Sequence, residues 1–282
     1  MPSGTLPGSV SSELRVVVAM NPVYPGVIAA VLYVVGAFRQ IDAVTRAKTA
    51  SPRDVLLFVT VGVCAHAVAA FLVMSRPDGI DFGLFAMGSL VTLVLTAFVL
   101  VASTFQPVEN LLMLTTPLAA VTVVASVMFP DRTIAHAIAR DLLAHVFLSI
   151  LAYTMLALAA CQAIALALQE RLIKGHRALS VIRVLPPIQT MESLLFQQIW
   201  VGFVLLTLSL GSGALFLPDA FSGPHAVLSS ASWIIFLLLL IGRHAFGWRG
   251  ATATRWTLTG FALLLVAYFG SKFVLQILLG RG

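Results

Sequence analysis

The chain has 282 residues, of which 60% are apolar and 10% charged, and its mean hydropathy is +1.02. No water-soluble domain of this length has such a composition, so the sequence predicts an integral membrane protein. The formal net charge is +6 at pH 7. Its basic residues fall between long apolar runs, where they set membrane orientation, and no nucleic-acid partner is expected.

Apolar runs long enough to cross about 30 Å of hydrocarbon, at about 1.5 Å per residue, recur along the chain. They predict an all-α fold: a polytopic helical bundle forming one membrane domain over 1–282, with the lipid bilayer as its surroundings. The polar segment 1–19 is predicted to be a disordered extension, for which Met20 is an alternative start. The eight predicted spans cover residues 22–38, 54–74, 80–103, 110–129, 142–168, 196–216, 226–242 and 256–279.

The loops after the first, fifth and seventh spans hold eleven of the 17 lysine and arginine residues. Loops of this kind stay in the cytoplasm, which predicts that both termini lie on the opposite side, the periplasm in a bacterial inner membrane. The longest loop, 169–195, mixes basic and apolar residues. We predict an amphipathic segment on the cytoplasmic interface, the alternative being an ordinary positively charged tether.

The segment LPDAFSGPH, residues 217–225, separates the sixth and seventh spans and is interrupted by Pro218 and Pro224. It ends at His225, so this histidine is expected at the mouth of the membrane next to non-helical backbone, where a membrane protein can present a ligand. His136 and His176 fall in other loops, where solvated histidines are expected.

His145 opens the fifth span at the surface where His225 opens the seventh, so both imidazoles share one membrane level. Ser149 and Tyr153 follow His145 on the same helical face. Two imidazoles can hold one metal if their ring nitrogens lie about 4 Å apart, twice a metal–imidazole bond of about 2 Å. The alternative is that both histidines simply end helices in a wet interface.

His66 is expected near the middle of the second span, and His244 at the inner end of the seventh. Their depths differ too much for both to hold one metal ion. Ionisable side chains inside a membrane often serve function, yet an interhelical hydrogen bond is the alternative interpretation for His66. No predicted span has a carboxylate near its middle, which argues against an ion-driven pump.

Several segments resemble the cytochrome c assembly family, in particular its CcsA-like branch with the YpjD-type and HemX-type inner-membrane proteins. FGLFAMGSL in the third span and QPVENLLMLTTPLAA at the fourth share the resemblance, which extends over nearly the whole chain. The longer matching runs are residues 145–153, 186–214 and 242–274.

The resemblance implies haem handling, with haem b as the expected cofactor and a cytochrome c maturation membrane protein as a partner. In the family's pattern, His145 matches the outer histidine before the fifth span. His66 resembles the intramembrane histidine of an early span, and His244 falls near the histidine that ends a later one. The resemblance therefore adds His66 and His244 to His145, His225, Ser149 and Tyr153 as candidate cofactor-binding residues.

Two departures from the family's pattern bear on activity. The tryptophan-rich stretch expected between the sixth and seventh spans is replaced by LPDAFSGPHAVLSS, with no tryptophan before Trp233. The second outer histidine expected after the last span is absent from the ending VLQILLGRG. We therefore expect a haem-interacting or haem-trafficking accessory, and not a complete synthase. The alternative is a non-haem accessory subunit that stabilises or regulates a divalent-cation efflux protein.

Overall fold

The computed structural model describes residues 21–46, 52–76, 79–129, 134–135, 140–174, 186–216 and 223–274. Within them, eight helices are long and apolar enough to cross a membrane, which confirms the predicted all-α polytopic bundle. The helices are α1 Val23–Thr45, α2 Pro52–Met74, α3 Leu84–Ala102, α4 Leu112–Met128, α5 Arg140–Lys174, α6 Ile188–Phe216, α7 Pro224–Phe246, α8 Gly250–Leu265 and the short α9 Ser271–Phe273. A 3-10 turn, Glu109–Leu111, precedes α4, and a π-helical turn, Val266–Gly270, joins α8 to α9 in one span.

Three very short strands form an antiparallel sheet in the order β1-β2-β3: Ser75–Arg76, Gly79–Asp81 and Ile134–Ala135. Ser75 pairs with Ile80, and Ile80 pairs with Ala135. The sheet ties the connection between α2 and α3 to the segment that precedes α5. The sequence did not predict it, because two or three residues are too few to show the alternation of a strand.

Several helices are longer than the predicted spans, and the predicted interfacial loop 169–195 is wrong at both ends. Helix α5 continues to Lys174 and α6 begins at Ile188. A hydropathy criterion marks only the part of a helix that fits the hydrocarbon, whereas backbone hydrogen bonding continues into the headgroup region. The remaining loop residues 175–185, together with 1–20, His136 and 217–222, lie outside the described residues.

The interior consists of two apolar clusters that meet at α5. One cluster joins α1 to α4 around Tyr33 and Leu95, and Leu158 of α5 also belongs to it. The other joins α5 to α8 around Leu156 and Phe236. Lipid tails are as apolar as these side chains, so close van der Waals packing, and not exclusion from the surroundings, holds the helices together.

At the end of the bundle away from His145, a buried carboxylate on α6 joins this helix to the start of α8. Glu192 accepts a hydrogen bond from the Gly250 backbone N–H at 2.8 Å, and Arg249 Nε donates to its other oxygen at 3.2 Å. These contacts fix the start of α8 against α6. The span that begins there runs back across the bundle to the surface where α5 and α7 begin.

Helices α5 and α6 form the most extensive helix pair, and a glycine sets their separation. A Cβ atom added to Gly202 of α6 would lie 2.6 Å from Leu156 Cδ2 on α5. The backbone of α6 therefore approaches α5 more closely than any larger residue allows.

Replacing Gly202 with valine should destabilise the bundle by about 1–3 kcal/mol, because the added methyl groups overpack the contact with Leu156. Gly211→Val is the matched control, since nothing lies within 4 Å of a Cβ at Gly211 on the same helix. Thermal unfolding in detergent, followed by size-exclusion chromatography, measures the difference. Equal midpoints for the two variants would contradict the role given to Gly202.

Candidate ligand-binding site

His145, in the second turn of α5, is half-buried against α6. Its Nδ1 lies 3.1 Å from the Ser209 backbone carbonyl oxygen and 3.0 Å from Ser212 Oγ. A carbonyl oxygen can only accept a hydrogen bond, so Nδ1 carries the proton and donates it. The neutral ring therefore keeps an unprotonated Nε2, and Ser149 Oγ lies 3.5 Å from that atom.

His225 lies in the first turn of α7, directly after Pro224 and the extended Gly223. Its Nδ1 lies 3.0 Å from the backbone carbonyl oxygen of Ala267, in the π-helical turn. The same argument assigns the proton to Nδ1 and leaves a lone pair on Nε2. The edge of the ring also contacts Tyr268, with ring centroids 6.0 Å apart.

The two histidines thus share one arrangement, in which a backbone carbonyl holds Nδ1–H and Nε2 is available as an acceptor. Metal-ligating histidines are oriented in this way, because the second hydrogen bond fixes both the tautomer and the ring. The structure places both rings at the wall of one cavity, and their use as a ligand pair stays a prediction.

Both histidines line one cavity of about 450 Å³. This volume lies within the range of small-molecule and cofactor sites. The walls come from α3, α5, α6, α7 and the last span, and they include Ser149 and Tyr153. The polar or charged side chains among the lining residues are His145, Ser149, Tyr153, Ser209, His225, Ser229, Tyr268 and Lys272.

One side of the cavity is aromatic. Tyr153, Tyr268 and Phe269 contact one another edge to face, with centroid separations of 5.9 Å, 6.2 Å and 5.1 Å. Tyr153 Oη donates a 2.7 Å hydrogen bond to the Leu264 carbonyl oxygen, which fixes its ring. An aromatic surface is therefore present, formed by one ring of α5 and two rings of the last span, and these three rings include no tryptophan.

The π-helical turn Val266–Gly270 is the element at this cavity that sequence analysis missed. It brings Tyr268 and Phe269 to the cavity, and it offers the Ala267 carbonyl to His225. Such turns interrupt the regular backbone ladder and are frequent at functional sites. The available signal was the paired aromatics of AYFGSK near the end of an apolar span.

Lys272 supplies a positive charge at this cavity. Its Nζ donates a 2.6 Å hydrogen bond to the Phe82 carbonyl oxygen and lies 5.7 Å from the Tyr268 ring centroid. Sequence analysis gave it no role in a site. Within an apolar cavity, a held ammonium group favours a ligand that carries negative charge.

His66 lies in a separate place, fully buried between α1, α2 and α3. Its Nδ1 is 3.2 Å from Tyr33 Oη and its Nε2 is 2.8 Å from Ser89 Oγ, so both ring nitrogens have protein partners. It is not among the residues that line the cavity. The geometry favours the interhelical hydrogen-bond interpretation for this residue.

His244 lies near the opposite end of α7, where its Nδ1 is 2.9 Å from the Leu240 carbonyl oxygen of its own helix. Its ring packs edge to face against Trp200, with centroids 5.9 Å apart. The structure therefore brings His145, His225, Ser149 and Tyr153 together and places His66 and His244 elsewhere.

Removing either partner of His66 should destabilise the bundle. Tyr33→Phe or Ser89→Ala leaves one imidazole nitrogen unpaired, at a cost of about 0.6–2 kcal/mol for an interhelical hydrogen bond in a membrane. Tyr24→Phe serves as the control, because the Tyr24 side chain is exposed on α1. Thermal unfolding in detergent should show lower midpoints for the first two variants only; no difference from Tyr24→Phe would refute the network.

Comparison with known proteins identifies relatives over most of the chain. The family model described as "Cytochrome C assembly protein" matches residues 54–279. The inner membrane protein YpjD of Escherichia coli K12 is 29% identical over 232 residues, covering 80% of this chain and 88% of its own. The cytochrome c biogenesis protein CcsA of Prochlorococcus marinus AS9601 is 34% identical over 91 residues, covering 30% of this chain and 29% of its own. No solved structure matches.

Proposed function

Since the chain belongs to the cytochrome c assembly protein family, we propose that it binds haem b between His145 and His225. In this proposal it acts as a haem-interacting or haem-trafficking accessory of cytochrome c biogenesis in the bacterial inner membrane. The observation that carries the proposal is the pair of histidines beside one cavity, each with Nδ1 within hydrogen-bond distance of a backbone carbonyl oxygen.

The donor set fits haem. The iron of haem is already held by four ring nitrogens, so a protein completes its coordination with one or two axial ligands. His145 and His225 would supply two neutral Nε2 donors, and the hydrogen bond at each Nδ1 would fix the orientation of the ring. A metal ion bound by protein alone generally takes three or four side chains.

The rest of the cavity suits a planar, mostly apolar group that carries carboxylates. Aliphatic side chains and the rings of Tyr153, Tyr268 and Phe269 would contact the macrocycle, because aromatic faces and edges pack well on flat π-systems. Lys272 would pair with a propionate. A carboxylate buried without such a partner would be strongly disfavoured.

Membership of the family does not by itself define the activity of this chain. The Escherichia coli relative is named as an inner membrane protein, while the shorter match from Prochlorococcus marinus is named for cytochrome c biogenesis. Residues 217–230, LPDAFSGPHAVLSS, contain no tryptophan, which supports an accessory in haem handling over a complete synthase.

His145→Ala and His225→Ala should each weaken haem binding by about 10–100-fold, because each removes one axial donor. Titration of the purified protein with haem, followed by the Soret absorbance, measures this. His244→Ala is the control, since that histidine lies at the other end of α7 and should leave the titration unchanged. If His145→Ala and His225→Ala both bind haem with the affinity of the unaltered protein, the proposal is contradicted.

The charge of Lys272 should distinguish haem from its dimethyl ester, whose propionates carry no charge. The unaltered protein should bind haem more tightly by the roughly 1.5–3 kcal/mol of a charge-assisted hydrogen bond. Lys272→Met should lose most of this preference, whereas Lys272→Arg should keep it. Binding that discriminates equally in all three proteins would show that Lys272 does not recognise the carboxylate.

A further inference from the structure

A second, almost wholly apolar cavity lies beside the first, with a volume of about 470 Å³. It is a groove between α3, α4 and the last span, and it opens toward lipid: Val266 and Phe273, on its rim, are 53% and 46% exposed. Its other lining residues are Leu84, Phe85, Gly88, Thr122, Ala125, Leu265, Phe269 and Gly270.

One side chain, that of Phe269, lines both the groove and the histidine cavity. A Cβ atom added to Gly88 of α3 would lie 3.4 Å from Phe269 Cε1. The ring therefore rests directly on the backbone of α3, with no other side chain at that contact. Phe269 therefore forms part of the partition between the two cavities.

The two helices on either side of this partition have other helices as their main packing partners. Helix α3 packs mainly on α4, α2 and α5, while α8 packs mainly on α7 and α5. A gap between two helices that do not pack closely can open without breaking a helix–helix interface. Rotation of one phenylalanine side chain occurs far faster than such a rearrangement.

Because Phe269 lies in the π-helical turn, its side chain can also be moved by a change in the backbone of that turn. A π-turn contains one residue more than an α-turn, so a local change in backbone hydrogen bonding re-aims the side chains within it. His225 binds the Ala267 carbonyl in the same turn. A change in the turn would therefore affect the partition and the histidine together.

We propose that the groove is a lateral portal through which a flat, apolar ligand passes from the bilayer into the histidine cavity, with Phe269 as the gate. The inference rests on the proposed function, because its ligand is haem. The groove has the chemistry of the hydrocarbon outside it, so the macrocycle can enter without leaving apolar surroundings. Inside, it meets the two Nε2 atoms and Lys272.

Loading rates test the portal. The protein in vesicles of phosphatidylethanolamine and phosphatidylglycerol is mixed with haem-loaded vesicles of the same lipids, and the growth of the Soret band is followed. Phe269→Ala should speed loading, and Gly88→Leu should slow it, each by about tenfold, within the range over which association rates vary among variants of one site. Gly211→Leu, in open space on α6, should load like the unaltered protein.

Two further variants guard against misfolding of Gly88→Leu. Gly88→Ala places its Cβ at an ordinary contact distance from Phe269 and should slow loading less than Gly88→Leu. Phe269→Trp makes the gating side chain larger and should also slow loading. The portal alone would be overturned if Gly88→Ala, Phe269→Trp and Phe269→Ala all load at the rate of the unaltered protein and show a normal Soret band at equilibrium. An unaltered protein with no Soret band at equilibrium would overturn the proposed function and the portal with it.

Discussion

The hydrogen bonds from the two histidine Nδ1 atoms to backbone carbonyls are the interactions on which the site depends. His145 uses the Ser209 carbonyl of α6, and His225 uses the Ala267 carbonyl of the π-helical turn. Each bond fixes the tautomer and the plane of its ring. Without them, the two imidazoles would be polar side chains at helix ends, with no defined donor atom toward the cavity.

These bonds depend in turn on how closely the helices approach. Gly202 lets α6 pack tightly against α5, which sets Ser209 beside His145 and Ser149; Ser149 Oγ lies 2.7 Å from Ser209 Oγ. At the other end of the bundle, Glu192 fixes the start of α8. In an apolar solvent, such small-residue contacts and paired polar groups take the place of hydrophobic exclusion as the source of specific packing.

Much of this arrangement could be predicted from the sequence. Hydropathy gives the eight spans, and their order places His145 and His225 at one membrane level, because both begin spans at the same surface. The membrane depth of two residues cannot show that α5 and α7 face a shared cavity. A 3.6-residue period cannot reveal a π-turn, so Tyr268 and Phe269 were not predicted as site residues. His66 fits the family's pattern by position, yet its hydrogen bonds to Tyr33 and Ser89 depend on packing that no single span encodes.

The coordination of haem iron by two imidazoles is the central claim, and low-temperature electron paramagnetic resonance of the ferric complex tests it most directly. Two imidazole ligands impose a strong field, so the unaltered protein should give a low-spin signal. Histidine labelled with ¹⁵N should alter the couplings in a way that requires two nitrogen donors from the protein. A high-spin signal, or one that the label does not change, would contradict ligation by His145 and His225.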